Sequence, residues 1–212
     1  MSDRAYVYID GESHFIRSSF AWQEIHGQNA CLNELRLRGE TDDKTVLVEL
    51  KAKIFWTKKM NPESLRSIYF TSATGDQSHI FNLQKMLRDF GLEPSLVPER
   101  RELAKKRSNL LNTKQVIEKP KGVDIELAVR MLNDSHRGAF DVCHLYSSDV
   151  DFLPVINAIK LDGKRIIVHG YKNGLSEESP LLVAPDLFVD LEEVLRDGCE
   201  RLMRSGGECE YL

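Results

Sequence analysis

Short apolar runs alternate along this chain with longer stretches in which apolar residues recur every three or four positions. The first run, Ala5 to Ile9, is apolar throughout and stops at Asp10-Gly11, as a strand buried on both faces does. A helix is expected over residues 13–26. Residues 27–44 are polar and contain glycine, with Thr41-Asp42-Asp43 as a cap for the next segment. From Thr45 to Lys59, the positions Val46, Leu47, Leu50, Ile54 and Phe55 fit a helical stripe better than a strand, and Asn61-Pro62 ends it.

The alternation then becomes regular. Residues 67–72 read as a strand. Residues 77–90 read as a helix with Ile80, Leu83, Met86, Leu87 and Phe90 on one face and Gly91 as its stop. A short strand at 92–97 leads into a basic loop at 98–114, longer than most connections and expected to be mobile. Next come a helix at 123–133 with Ile125, Leu127, Ala128, Met131 and Leu132 turned inward, a strand at 141–147 and a helix at 150–161 closed by Gly163. A strand at 165–169, a small one at 187–189 and a helix at 190–204 complete a single domain over residues 1–204. Residues 27–60 are a candidate insertion and 205–212 a frayed tail. Strands alternating with helices predict an α/β fold with a mainly parallel central sheet covered on both faces. Ligands of such sheets sit beyond the C-terminal ends of the strands, where strand order reverses.

That rule gives meaning to the acids. Asp10 ends the first strand, Asp124 opens the helix after the basic loop, and Asp149 and Asp151 follow the strand at 141–147. Three such ends meeting at one sheet edge gather four carboxylates that need a cation to stay ionised together, the description of a hard-metal centre. Each acid also has a plainer role: Asp10 as a turn or helix cap, Asp124 as a first-turn acid, Asp151 as the partner of Ser148 in a capping-box spacing. Ser13 and Ser148 are candidate donors to a phosphate or to a metal's water, and equally good local caps.

Charge distribution supports a polyanionic partner although the net charge of −4 does not. Residues 99–121 carry eight basic side chains, among them Arg100, Arg101, Lys105, Lys106, Arg107 and Lys121, against three acids. The segment is therefore +5 and suited to holding phosphates, or else a solvated loop. A second mixture of cations and aromatics, Lys51 to Lys59, fits a nucleic-acid surface or an ordinary amphipathic helix. The six histidines show no metal-ligand spacing, and His144 and His169 fall within strands. Four scattered cysteines without a C-x-x-C pair, a polar N-terminus and no long apolar run lead us to expect a reducing, cytoplasmic setting and no membrane segment.

Ile9-Asp10-Gly11, Lys121-Gly122-Val123-Asp124 opening Ile125-Glu126-Leu127-Ala128, and Ser148-Asp149-Val150-Asp151-Phe152-Leu153-Pro154 together resemble the NYN domain, and within it the LabA-like branch of the PIN-like nuclease superfamily. Asp162-Gly163-Lys164-Arg165-Ile166 and Ala184-Pro185-Asp186-Leu187-Phe188-Val189-Asp190-Leu191 resemble later segments of that family. The likeness covers most of the chain and is least supported at 27–60 and in the last turn. It implies a three-layer α/β/α sandwich of PIN-like form and a ribonuclease dependent on Mg²⁺ or Mn²⁺; we expect its substrate to be single-stranded RNA held by the basic 99–121 segment. It also implies that Asp10, Asp124, Asp149 and Asp151 are both catalytic and metal-holding. The chain departs from the family pattern at Ser13, where Asn is usual, at Arg130, where a helix Asp is frequent, and at Ser148, where Gly is usual. An alternative is therefore a domain that binds RNA or a protein partner and cleaves slowly or not at all. Asp149-Val150-Asp151 also matches the D-x-D of aspartyl-phosphate phosphatases, but Leu153 stands where that motif takes Thr or Val.

Overall fold

The computed structural model describes residues 3–26, 63–73, 77–98, 122–173, 175–194 and 196. The expected helix at 45–59, the basic segment 99–121 with Lys121, and the tail lie outside them. The elements are β1 (Ala5–Asp10), α1 (Gly11–His26), β2 (Arg66–Ala73), α2 (Gln77–Asp89), β3 (Glu93–Pro98), α3 (Val123–His136), β4 (Val142–Tyr146), α4 (Leu153–Leu161), β5 (Arg165–Gly170) and β6 (Leu187–Asp190). Residues 191–194 are again helical. All strand pairs are parallel, in the order β3-β2-β1-β4-β5-β6. This is the expected α/β architecture.

β1 lies at the centre because it is apolar on both faces, and its alternation feeds two cores. Tyr8 packs with Phe70, Leu127, Met131, Leu145 and Ile156 under α3 and α4. Val7 and Ile9 pack with Tyr69, Leu87, Tyr146 and Tyr171 on the opposite face. Burial of these fully enclosed side chains, at about 1.5–3 kcal/mol each, is the main force holding the layers to the sheet.

Two expectations change. Ile125 is not turned inward but 68% exposed. At 100° per residue, Val123, Leu127 and Met131 share the buried face, and Ile125 stands two residues from both Val123 and Leu127, on the other side. The helix expected at 150–161 starts as a 3-10 turn, Val150–Phe152, before α4, whose first turn contains Pro154. No helix among the described residues is long and apolar enough to cross a membrane.

Strand order reverses between β1 and β4: β2 and β3 extend the sheet one way, β5 and β6 the other. The register pairs Ile9 with Tyr146. Their successors Asp10 and Ser147 therefore emerge side by side at the switch point, where the sheet opens a crevice.

Candidate active site at the β1–β4 switch point

Asp10 is the last residue of β1 and the residue before α1, so strand end and helix start share one carboxylate. Its Oδ1 accepts from the Ser13 amide at 3.2 Å, the bond of a helix N-cap. Its Oδ2 accepts from the Ser147 hydroxyl at 2.9 Å. Asp10 is 1% exposed, and a carboxylate so buried needs such donors and the positive end of a helix dipole. Residue 11 is glycine because β2 passes too close to leave room for a side chain. A Cβ there would press into the Tyr69 ring and stand 2.6 Å from the Phe70 carbonyl oxygen. The Tyr69 hydroxyl donates to the Gly11 carbonyl at 3.2 Å. Burial first, then the charges of Asp10 and Glu12, push its pKa far above the usual tyrosine value, so it stays a phenol.

Ser147 joins the two strand ends. While its hydroxyl donates to Asp10, it accepts from the Asp149 amide at 3.2 Å. Asp149 caps the following 3-10 turn, its Oδ1 accepting from the Asp151 amide at 3.0 Å. The cap is thus Asp149, and the Ser148–Asp151 capping-box spacing is not used. Ser148 turns inward instead: its amide donates to Ser13 Oγ at 3.4 Å and its Oγ accepts from the Tyr171 amide at 2.8 Å. Gly170 leaves the space for this, since a Cβ there would lie 3.0 Å from both the Ser147 carbonyl and Ser148 Oγ. Ser13 and Ser148 are both buried. Three hydroxyl-bearing residues and three backbone ends thereby lock the ends of β1, β4 and β5 together.

Asp124 lies in the first turn of α3, which leaves this same edge of the sheet and packs on β1 and β2. Gly122 precedes it with φ of 123°, in the left-handed region that favours glycine. Asp151 is exposed on the 3-10 turn. Arg130 points away from the site. Its Nε is 2.7 Å from Asp134 Oδ2 and its Nη1 and Nη2 are 3.4 Å from Glu93, at the opposite edge. Arg100, Arg101, Lys105, Lys106, Arg107 and Lys121 lie outside the described residues.

Among the described residues, no group of three or more His, Cys, Asp or Glu is arranged to hold a metal ion. The four acids share an edge without forming an all-protein cage. Mg²⁺, however, keeps several waters and is normally held by one or two carboxylates together with substrate phosphates. A buried oxygen donor set beside a half-buried carboxylate fits a hydrated hard cation of that kind.

Sequence reasoning missed Ser147. The signal was present: with β1 and β4 adjacent, the hydroxyl following Tyr146 has to stand beside Asp10. It also missed the pairing of Ser148 with Gly170, which depends on β4 and β5 being neighbours. Behind the site, His144 Nδ1 and His169 Nε2 share a hydrogen bond of 2.9 Å, and His169 stacks on Tyr146 at a centroid distance of 4.4 Å. His169 is buried and His144 is half-buried beside it.

The NYN domain family matches residues 4–192. This chain belongs to the NYN domain family. That family falls within the PIN-like superfamily, and its members are in general nucleases. The match is to the NYN domain as a whole and does not single out the LabA-like branch. None of the curated proteins matches the chain. Among solved structures, a Vibrio parahaemolyticus protein of unknown function is similar, with a TM-score of 0.54 and 16% identity over 89% of this chain and 93% of that one. At that identity the likeness bears on the fold alone.

Proposed function

We propose that this NYN domain is a divalent-metal-dependent ribonuclease that hydrolyses phosphodiester bonds of single-stranded RNA in the cytoplasm. The observation that carries the proposal is the Asp10–Ser147–Asp149 unit at the switch point, where a buried carboxylate is aimed by a serine that also fixes the next acid. Asp10 and Asp149, with Asp124 and Asp151 at the same edge, would hold a hydrated Mg²⁺ or Mn²⁺. Bound there, such an ion supplies positive charge to the phosphate and makes water a better nucleophile near neutral pH. The chain's own residues do the positioning. Ser147 holds Asp10 to one orientation, Asp149 pins the turn that carries Asp151, and Ser13 and Ser148 act through the scaffold. The basic residues of 99–121, with Lys121 nearest to Asp124 in sequence, hold the RNA backbone.

Cleavage of an end-labelled single-stranded RNA in Mg²⁺, Mn²⁺ or EDTA tests this reading, with cutting expected in either metal and none in EDTA. One observation favours a second reading: the lack of a three-acid group among the described residues suits a domain that binds RNA without cutting it. Retained RNA binding with no cleavage in either metal would bring that reading forward.

A further inference from the structure

An acidic edge repels RNA unless cations stand beside it, and the described residues put few there. Lys172 Nζ lies 3.8 Å from Asp190 Oδ2 and 3.7 Å from Glu193 Oε1. Arg196 Nη2 lies 2.7 Å from Glu192 Oε1. Arg17 is different. Its Nη1 donates to the Asn173 carbonyl at 3.2 Å, and among the described residues no carboxylate forms an ion pair with it. A carbonyl orients a guanidinium without cancelling its charge, and among the described residues only one of its five N–H donors is engaged.

Its place on α1 suits a ligand at the edge. Arg17 follows Ser13 by four residues, so both sit on one helix face, one turn apart. Ser13 meets the β4 end through the Ser148 amide, and Arg17 meets the segment just after β5 through Asn173. From Asp10 to Arg17 is about 10 Å along the axis. Helical side chains lean back toward the N-terminus, which brings the guanidinium nearer the edge than its Cα. The Asn173 contact then holds it over the β5 side of the crevice.

We propose that Arg17 is a phosphate-binding residue of this site, gripping the backbone of an RNA strand that crosses from the Asp10–Ser147–Asp149 unit toward the loop after β5. The inference rests on the ribonuclease reading and adds one named contact to it. Guanidinium geometry suits bidentate contact with phosphate oxygens, which a lysine cannot reproduce.

The test is the salt dependence of binding of a fluorescent single-stranded oligonucleotide RNA to the full chain. EDTA and an Asp149→Asn background keep the RNA intact. Arg17→Ala is expected to weaken binding about fivefold to tenfold near 0.1 M salt, and to flatten the slope of log K against log salt by about 0.7, one phosphate contact on a single strand. Arg17→Gln keeps a donor for the Asn173 carbonyl without the charge, so it should lose the same slope at an unchanged melting temperature. Arg17→Lys should keep the slope. Unchanged affinity and slope in both Arg17→Ala and Arg17→Gln would overturn the assignment and leave Arg17 a strap for the 171–173 segment, with the RNA reading intact. Absence of salt-dependent binding in the background itself would overturn both.

Discussion

Around β1 and β4 the two edges of the sheet orient their carboxylates by different means. At the N-terminal edge the partners are cations. Arg4 Nη2 lies 2.9 Å from Asp141, and Arg130 joins Asp134 at 2.7 Å while also reaching Glu93. Tyr8 adds a hydroxyl to the same Asp134 oxygen at 2.9 Å. At the C-terminal edge Asp10 takes a serine hydroxyl and a backbone amide, and Asp149 takes the Asp151 amide. A guanidinium cancels the charge that it orients. A hydroxyl or an amide orients a carboxylate and adds no formal charge of its own. We propose that the first edge is a joint and that the Asp10–Ser147–Asp149 corner of the second is a site.

Substitution of Ser147 should separate the two edges most clearly. Ser147→Ala removes a donor from Asp10 and an acceptor from the Asp149 amide at once. We expect cleavage to fall about tenfold to a hundredfold, since small displacements of a reacting group cost that much. Stability should fall by about 1–3 kcal/mol, the usual cost of stranding a buried polar group. Single-turnover kinetics beside a chemical melt measure both.

Arg130→Ala should do the reverse. Its partner Asp134 is buried, so losing the guanidinium should cost about 1–3 kcal/mol in a denaturant titration, while cleavage stays within about twofold of wild type. A large loss of activity at unchanged stability would place Arg130 in the chemistry and break the contrast.

A smaller effect comes from the face behind the site. Burial, followed by the charge of Arg165, depresses His144 to a pKa of about 4. Burial, followed by His144 and His14, depresses His169 to about 3. An unfolded chain takes up these protons as pH falls through about 6.5, whereas the folded chain resists until much lower pH. The unfolded state therefore binds more protons across that window, and stability falls as pH falls. Above pH 6.5 the pair adds no pH dependence. For the buried His169 the slope is about 1.4 kcal/mol per pH unit below 6.5, and His169→Phe should flatten it in melts taken from pH 7 to pH 5.

Much of this was legible in the amino-acid sequence because apolar period and punctuation are local. The run Val7-Tyr8-Ile9 announces a doubly buried strand, Gly91 and Gly163 mark helix ends, and the alternation implies the parallel sheet. Placing Asp10 and Asp149 at one edge needed only the rule for such sheets. Six residues at about 100° each also turn Arg130 away from Asp124, in keeping with its contacts to Asp134 and Glu93. What escaped was pairwise. Ser147 gains its meaning from standing beside Asp10 on another strand, and Ser148 from the space above Gly170. Ile125 was misread because an apolar residue next to a buried stripe looks like part of it until the helix phase is set by Val123, Leu127 and Met131. The capping box at Ser148 failed for a related reason, since the hydroxyl found a better partner in the Tyr171 amide.

The most direct measurement is Mn²⁺-dependent cleavage of a labelled single-stranded RNA by wild type, Asp149→Asn and Asp141→Asn side by side. One substituted acid stands at each edge. The account predicts that wild type and Asp141→Asn cut at similar rates, that Asp149→Asn is slower by at least about a hundredfold, and that EDTA silences all three. Equal cutting by the two variants would contradict it.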